Sequence, residues 1–219
     1  MRLILVRHYK TLINASASIM GWGDAPRVKE WETDLAAVHQ VLVDRSVRID
    51  AVYSSYLERA RQTAMYYAAL QGIHIVHDSP ELNEVNYGKL FRKSKHWVAK
   101  HIPEYKTDPD FVFPEGESFR QMQKRSVEFV KSLEARHAGH TLLMVMHAGV
   151  IRGLVCHFLG LDYAPNLKHK VSHRYIGDMR IESGDCLYYD ELGKPSGFQK
   201  SGVMSLPWQR QPNTGPATV

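Results

Sequence analysis

Cysteine is scarce in this chain. The two that occur, Cys156 and Cys186, lie far apart and belong to no CxxC or comparable ligand spacing. That argues against a disulfide framework and a zinc ribbon, and it sets the expectation of a reducing, cytoplasmic setting in which the sequon Asn14-Ala15-Ser16 is accidental. Long apolar runs are missing as well. Residues 3–6 follow a single arginine and are too few for a signal-peptide core or a membrane span. There is no Lys/Arg block; the net charge of +5 and pI near 9.1 come from basic residues scattered among acidic ones. Such a surplus suits anionic partners in general, and without interleaved aromatics it gives no ground for a nucleic-acid role. A GxSxG elbow, a Walker A loop and a GxGxxG turn are also absent, as are internal repeats.

What is present is an ordinary globular composition: 219 residues, 44% hydrophobic and 23% charged, enough for one domain with a sizeable core. Residues 3–6 read as a buried strand, being continuously apolar and too short for a helix. Trp31, Leu35, Val38 and Leu42 recur at helical spacing across 29–44. Residues 51–53 form a second strand, and Ser55 with Glu58 reads as a capping box opening a helix that ends before Gly72. A third strand is expected at 73–76. An irregular stretch follows, holding one short helix over 94–101.

Ser118 and Gln121 cap a further helix, with Gly139 placed to end it. Residues 141–146 are the strongest strand, 150–159 a helix stopped at Gly160, and 179–190 a closing hairpin turning at Ser183-Gly184-Asp185. Alternation of strands and helices predicts an α/β fold, a three-layer α/β/α sandwich with a mainly parallel central sheet. A single domain is expected over 1–192, with a lid-like insertion at about 85–117 and an irregular C-terminal extension over 193–219.

In such sheets ligands bind beyond the carboxyl ends of the strands. Arg7-His8 follows the first strand directly, and His147 follows the strand at 141–146 in the same way. Arg59 lies in the first turn of the helix after the second strand. The helix beginning at Ala148 turns its free N–H groups to the same rim. Two arginines, two imidazoles and a helix N-terminus suit a tetrahedral phosphoryl group. The pair alone carries nothing. Arg136-His137-Ala138-Gly139 repeats both fragments, yet it trails a helix and reads as a charged, glycine-capped end.

The runs LVRHYKT, YSSYLERARQTA, ELNEVNYG, PEGES and MHAGVIRG occur in the order seen in the histidine phosphatase superfamily, and the chain resembles its phosphoglycerate-mutase-like branch over residues 2 to about 160. The resemblance implies that His8 is the nucleophile, with Arg7, Arg59 and a protonated His147 as the phosphate pocket. Asn14 and the Ala148 N–H would be further phosphate contacts. Glu84 would be the proton donor, with Glu81 as the alternative. It also implies a small phosphorylated substrate, a phosphohistidine intermediate, no metal and no other cofactor; a homodimer is allowed.

The insertion after Glu84 is shorter than in cofactor-dependent mutases of this family, so a phosphatase is expected ahead of a mutase or a catalytically weak phospho-ligand binder. The lid carries Arg92, Lys93, Lys95 and Lys100 with no acidic residue among them, a solvated face or a lure for multiply charged substrates. The family usually has glycine and an acidic residue where this chain has Tyr9 and Lys10. Either of these is expected to contact the leaving part of the substrate, unless Tyr9 packs on the sheet edge. The pairs His74/His77, His137/His140 and His169/His173 are read as solvated surface histidines.

Overall fold

The computed structural model describes residues 1–193 and Phe198. In chain order the strands are β1 (Arg2–Arg7), β2 (Ala51–Ser55), β3 (Val76–Ser79), β4 (Thr141–Met146), β5 (Ile176–Glu182) and β6 (Asp185–Glu191). The helices are α1 (Leu12–Ala15), α2 (Trp31–Asp44), α3 (Glu58–Leu70), α4 (Lys95–His101), α5 (Phe119–Leu133), α6 (Ala148–Leu159) and α7 (Tyr163–Asn166). One six-stranded sheet has the order β3-β2-β4-β1-β5-β6. The first four strands in that order run parallel, and β5 and β6 add an antiparallel edge.

The apolar run of β1 is continuous because the strand is buried on both faces. Leu3 and Leu5 face one core with Met122, Val130, Ile151 and Val155 of α5 and α6. Ile4 and Val6 face the other, with Leu35, Val38 and Leu42 of α2 and Ala60, Ala64 and Tyr67 of α3. Helices thus cover both faces, giving the expected α/β/α sandwich. The capping box at Ser118 is present, its hydroxyl accepting from the Gln121 amide while Gln121 accepts from the Ser118 amide.

Three expectations are corrected. The third strand lies at Val76–Ser79, not 73–76; it is an edge strand, and Ile75 stays 65% exposed while His77 stacks on Tyr53 and Asp78 pairs with Arg61 at 2.8 Å. A border strand held by polar contacts has no apolar signature to read. Helix α3 is capped at Leu57 with no side-chain cap, because Ser55 turns into the interior and binds other partners. The pair at Arg136-His137 does sit at the opposite end of the strands from His8, but His137 is buried, 2.8 Å from the Tyr53 hydroxyl.

Residues 85–117 fold over the rim of the sheet as a 3₁₀ turn at Gly88–Leu90, helix α4 and an irregular return. Tyr87, Tyr105, Phe113 and Phe119 pack ring against ring and anchor this stretch to the α5–α6 core. The extension at 193–219 lies outside the described residues, except for Gly193 and for Phe198, whose ring centroid is 3.7 Å from that of His169. Among the described residues no helix is long and apolar enough to cross a membrane.

Candidate active site

Strands β1 and β4 end side by side. Arg7 is in register with Met146, and the His8 amide donates to the Met146 carbonyl at 3.0 Å. The next residues on the two strands, His8 and His147, therefore emerge together, with ring centroids 5.0 Å apart and both side chains buried. His8 lines a cavity of about 750 Å³ together with Arg7, Lys10, Asn14, Arg59 and Glu84, whereas His147, buried beside it, is not among the lining residues.

Each ring has a defined tautomer when neutral. His8 Nδ1 is 2.5 Å from the Tyr9 carbonyl oxygen, which can only accept, so Nδ1 carries the hydrogen and Nε2 keeps a lone pair. For His147 the chain of donors starts further out. The Tyr56 amide donates to Asn83 Oδ1, the Ser55 hydroxyl donates to the same oxygen at 3.0 Å, and His147 Nε2 then donates to Ser55 Oγ at 2.7 Å. His147 Nδ1 is left buried with no protein partner.

Two arginines flank the pair. Arg7 Nη1 donates to the Val171 carbonyl at 2.6 Å, and Arg59 holds the carbonyls of Gly21 and Gly23 at 2.6 and 2.7 Å. In both, Nε is buried without a partner. These unused donors, with the start of α6 at Ala148, make the electropositive cradle that a phosphoryl group requires. Asn14 lines the cavity too, but its Oδ1 accepts from the Thr11 amide and hydroxyl, closing a capping box on α1.

Burial, then the charges of Arg59, His147, Arg7 and His173, push His8 well below the usual imidazole range, so this ring is neutral at pH 7. The same causes, burial first and then Arg59 and Arg7, push His147 down. Among the described residues no carboxylate pairs with His147, and the guanidiniums of Arg59, Arg7 and Arg125 oppose a further charge on it. Burial also lowers Arg7 to about 10, which still leaves it cationic at neutral pH.

Glu84 reaches the site from the loop after the 3₁₀ turn at Pro80–Leu82. Its carboxylate accepts from the Val85 amide at 3.1 Å and from the Gly149 amide at 3.2 Å, and its carbonyl accepts from Trp22 Nε1 and Arg125. A Cβ on Gly149 would lie 2.0 Å from Glu84 Oε1, so glycine here is what admits the carboxylate. Arg125 also donates to the carbonyls of Glu81 and Asn83 and pairs with Glu117 at 2.7 Å, tying the PEGES segment to this loop. Glu81, the alternative donor, is not among the cavity-lining residues.

Tyr9 departs from expectation. Its ring is 4% exposed in the α2–α3 core, edge-on to Trp31 at 5.6 Å, and its hydroxyl donates to Gln62 at 2.8 Å. It packs away from the cavity, whereas Lys10 lines it. Of the lid cations, Lys95 lines the cavity; Arg92, Lys93 and Lys100 do not.

His173, read as a surface residue, is a member of the site. Its Nδ1 donates to the His8 carbonyl at 2.8 Å, its ring is 5.4 Å from that of His8, and burial pushes it down to about 3. Sequence reasoning also missed Ser55, Asn83, Arg125, Lys106 and Arg152. Ser55, Asn83 and Arg152 lie inside quoted motifs, Ser55 mimicking a cap, whereas Arg125 and Lys106 carry no local pattern. Among the described residues no cluster of three His, Cys, Asp or Glu is placed to hold a metal ion.

A mostly parallel sandwich with paired histidines and arginines at the carboxyl rim of its central strands defines a phosphoryl-binding α/β enzyme fold. The family model of the histidine phosphatase superfamily (branch 1) matches residues 3–186, and the chain belongs to that superfamily. It is 31% identical to a metal-independent phosphoserine phosphatase of Arabidopsis thaliana over 69% of this chain and 66% of that protein. It is 27% identical to phosphoglycerate mutase 1 of Saccharomyces cerevisiae over 89% of this chain and 90% of the relative. The solved alpha-ribazole phosphatase of Shigella flexneri superimposes with a TM-score of 0.73 at 25% identity, covering 85% of this chain and 93% of that one.

Proposed function

We propose that this chain hydrolyses phosphomonoesters of small metabolites by two successive displacements at His8. The observation that carries the reading is the neutral His8 ring, held by Nδ1 on the Tyr9 carbonyl so that Nε2 offers its lone pair beside Arg7 and Arg59. Nε2 attacks phosphorus, the P–O bond to the leaving group breaks, and protonated Glu84 gives its proton to the departing alkoxide. The unpaired Nε donors of Arg7 and Arg59 meet charge on the equatorial oxygens, where phosphoryl transfer needs most help. Water then attacks the phosphohistidine, Glu84 takes its proton, and the P–N bond breaks to return neutral His8 and inorganic phosphate.

Hydrolysis is preferred to mutase chemistry because the short insertion at 85–117 leaves the cavity open to water, which competes with any returning acceptor. The mutases among the relatives support the alternative, transfer back to the substrate. The steps above use side chains alone, so activity in EDTA is part of the reading. The test is hydrolysis of p-nitrophenyl phosphate in EDTA, with labelled protein trapped by an acid-free quench. We expect release of phosphate, a labile label on His8, and loss of both in His8→Ala. Retained activity in His8→Ala overturns the mechanism; label transfer to an added hydroxy acid without phosphate release overturns hydrolysis in favour of the mutase.

A further inference from the structure

We propose that His173 is a positioning residue for the nucleophile: with Thr63 it clamps the peptide between His8 and Tyr9, and that clamp holds the His8 ring on its line of attack. The inference rests on the reading of His8 as the phosphoryl acceptor and adds the group that aims it. Sheet bonding stops short of this peptide. The ladder from β1 to β5 ends at the pair Val6–Ile176, and on the β4 side the last bond is the His8 amide on the Met146 carbonyl. Beyond it the two polar groups of the His8–Tyr9 peptide go to side chains. The N–H donates to Thr63 Oγ1 at 3.0 Å, and the carbonyl accepts from His173 Nδ1 at 2.8 Å.

Each partner is itself held. Thr63 stands on α3 and spends its own hydrogen on the Arg59 carbonyl at 2.7 Å, so its Oγ1 can only accept here. On the loop after α7, the Val171 carbonyl accepts from Arg7 Nη1 at 2.6 Å, and Arg174 Nε pairs with Asp34 of α2 at 2.6 Å. His173 lies between those two anchors. Because His8 Nδ1 rests on the Tyr9 carbonyl, the next one along, rocking of the His8–Tyr9 peptide swings that carbonyl off the ring. With Thr63 alone the peptide keeps one tether and is free to turn about it; with His173 it is fixed at both ends. Misplacement of a reacting atom by about 1 Å costs roughly 10²-fold in rate. Space-filling beside His8 accounts for the ring of His173, but not for a hydrogen bond made across 165 residues of chain to the nucleophile's own carbonyl.

Three substitutions separate donor from bulk. His173→Phe keeps a ring and removes the donor, His173→Asn places an amide N–H where Nδ1 stood, and His173→Gln places it where Nε2 stood. The readouts are single-turnover phosphorylation of His8 by p-nitrophenyl phosphate, the Kd of inorganic phosphate by calorimetry, and the nitrogen NMR signals of the His8 imidazole, which report its tautomer. We expect His173→Phe and His173→Gln to lower the phosphorylation rate by about 30- to 100-fold while the phosphate Kd moves less than about threefold. His8 should lose its pure Nδ1–H tautomer in both, and His173→Asn should recover most of the rate and the tautomer. Should His173→Phe fail to fold, His173→Gln against His173→Asn carries the same contrast. Wild-type rates in His173→Phe or His173→Gln, a His173→Asn as slow as His173→Gln, or a phosphate Kd that rises in step with the lost rate overturns the positioning role. If no phosphorylated His8 forms in the wild type, yet its tautomer follows His173 in this pattern, the clamp stands and the phosphohistidine reading fails.

Discussion

His8 is oriented by the main chain of the residue after it: its Nδ1 meets the Tyr9 carbonyl at 2.5 Å while the Tyr9 side chain departs into the opposite core. The contact needs a carbonyl and no particular side chain, so a tyrosine is accommodated where relatives of this family usually carry glycine. The ring instead joins α2 to α3 through Trp31 and Gln62.

Tyr9 is therefore a stability residue. Tyr9→Ala should cost about 3–5 kcal/mol, as expected for emptying a buried aromatic site, and Tyr9→Phe about 1 kcal/mol for the hydroxyl. Substrate ranking across a panel of phosphate esters should not move in either. Denaturant unfolding and the panel together check this, and a reordered ranking in Tyr9→Phe would count against it.

Glu84→Gln should split substrates by leaving group. Loss of a general acid lowers the rate by roughly 10²–10⁴ for alkyl phosphates. Phosphorylation of His8 by p-nitrophenyl phosphate should suffer less, because nitrophenolate leaves without a proton. Rapid-quench measurement of the first turnover on both esters reads the difference.

Gly149→Ala makes an opposite pair of predictions. Alanine in a helix is favoured over glycine by about 1 kcal/mol, yet its Cβ would meet Glu84 Oε1 at 2.0 Å. Activity should drop with Glu84 displaced, while the melting temperature holds or rises. A parallel loss of both would mean that the methyl disturbs the α5 contact at Met122 instead.

Acid should destabilise the fold through its buried imidazoles. Below about pH 6.5 the unfolded chain binds a proton at His8, His147 and His173. The folded chain does not, since burial pushes all three down, His173 to about 3. Stability therefore falls as pH drops through the window from about 6.5 toward 3, at about 1.4 kcal/mol per pH unit for each ring that differs. Urea unfolding at stepped pH measures the slope, and His173→Asn should make it shallower.

Much of this molecule was legible in the sequence wherever burial imposes a pattern. The run at 3–6, the helix through Leu35, Val38 and Leu42, and the capped helix at Ser118 all follow from which faces must leave water. The convergence of Arg7, His8, Arg59 and Glu84 on one cavity followed from strand ends and from linked motifs. What escaped was set by contacts between distant segments. The edge strand β3 is polar, and Ser55 looks like a cap until His147 is seen against it. His173 reaches His8 from far along the chain on a loop without periodicity. Lys106 and Arg152 reach one cavity from the lid and from α6 with no sequence pattern to join them.

The Ser55 hydroxyl settles more than the angle of a ring. With Nε2–H of His147 engaged there, a phosphate oxygen that approaches this imidazole meets Nδ1 and its lone pair. Two lone pairs repel, so an ionised phosphate oxygen is accommodated against Nδ1 only with a proton between them. Capture of phosphate at this ring should therefore be linked to the uptake of a proton from the solvent. Titrating inorganic phosphate into the protein in two buffers of unequal ionisation heat should give enthalpies that differ by the buffer's own contribution, and Ser55→Ala, which frees the ring to flip, should remove that difference.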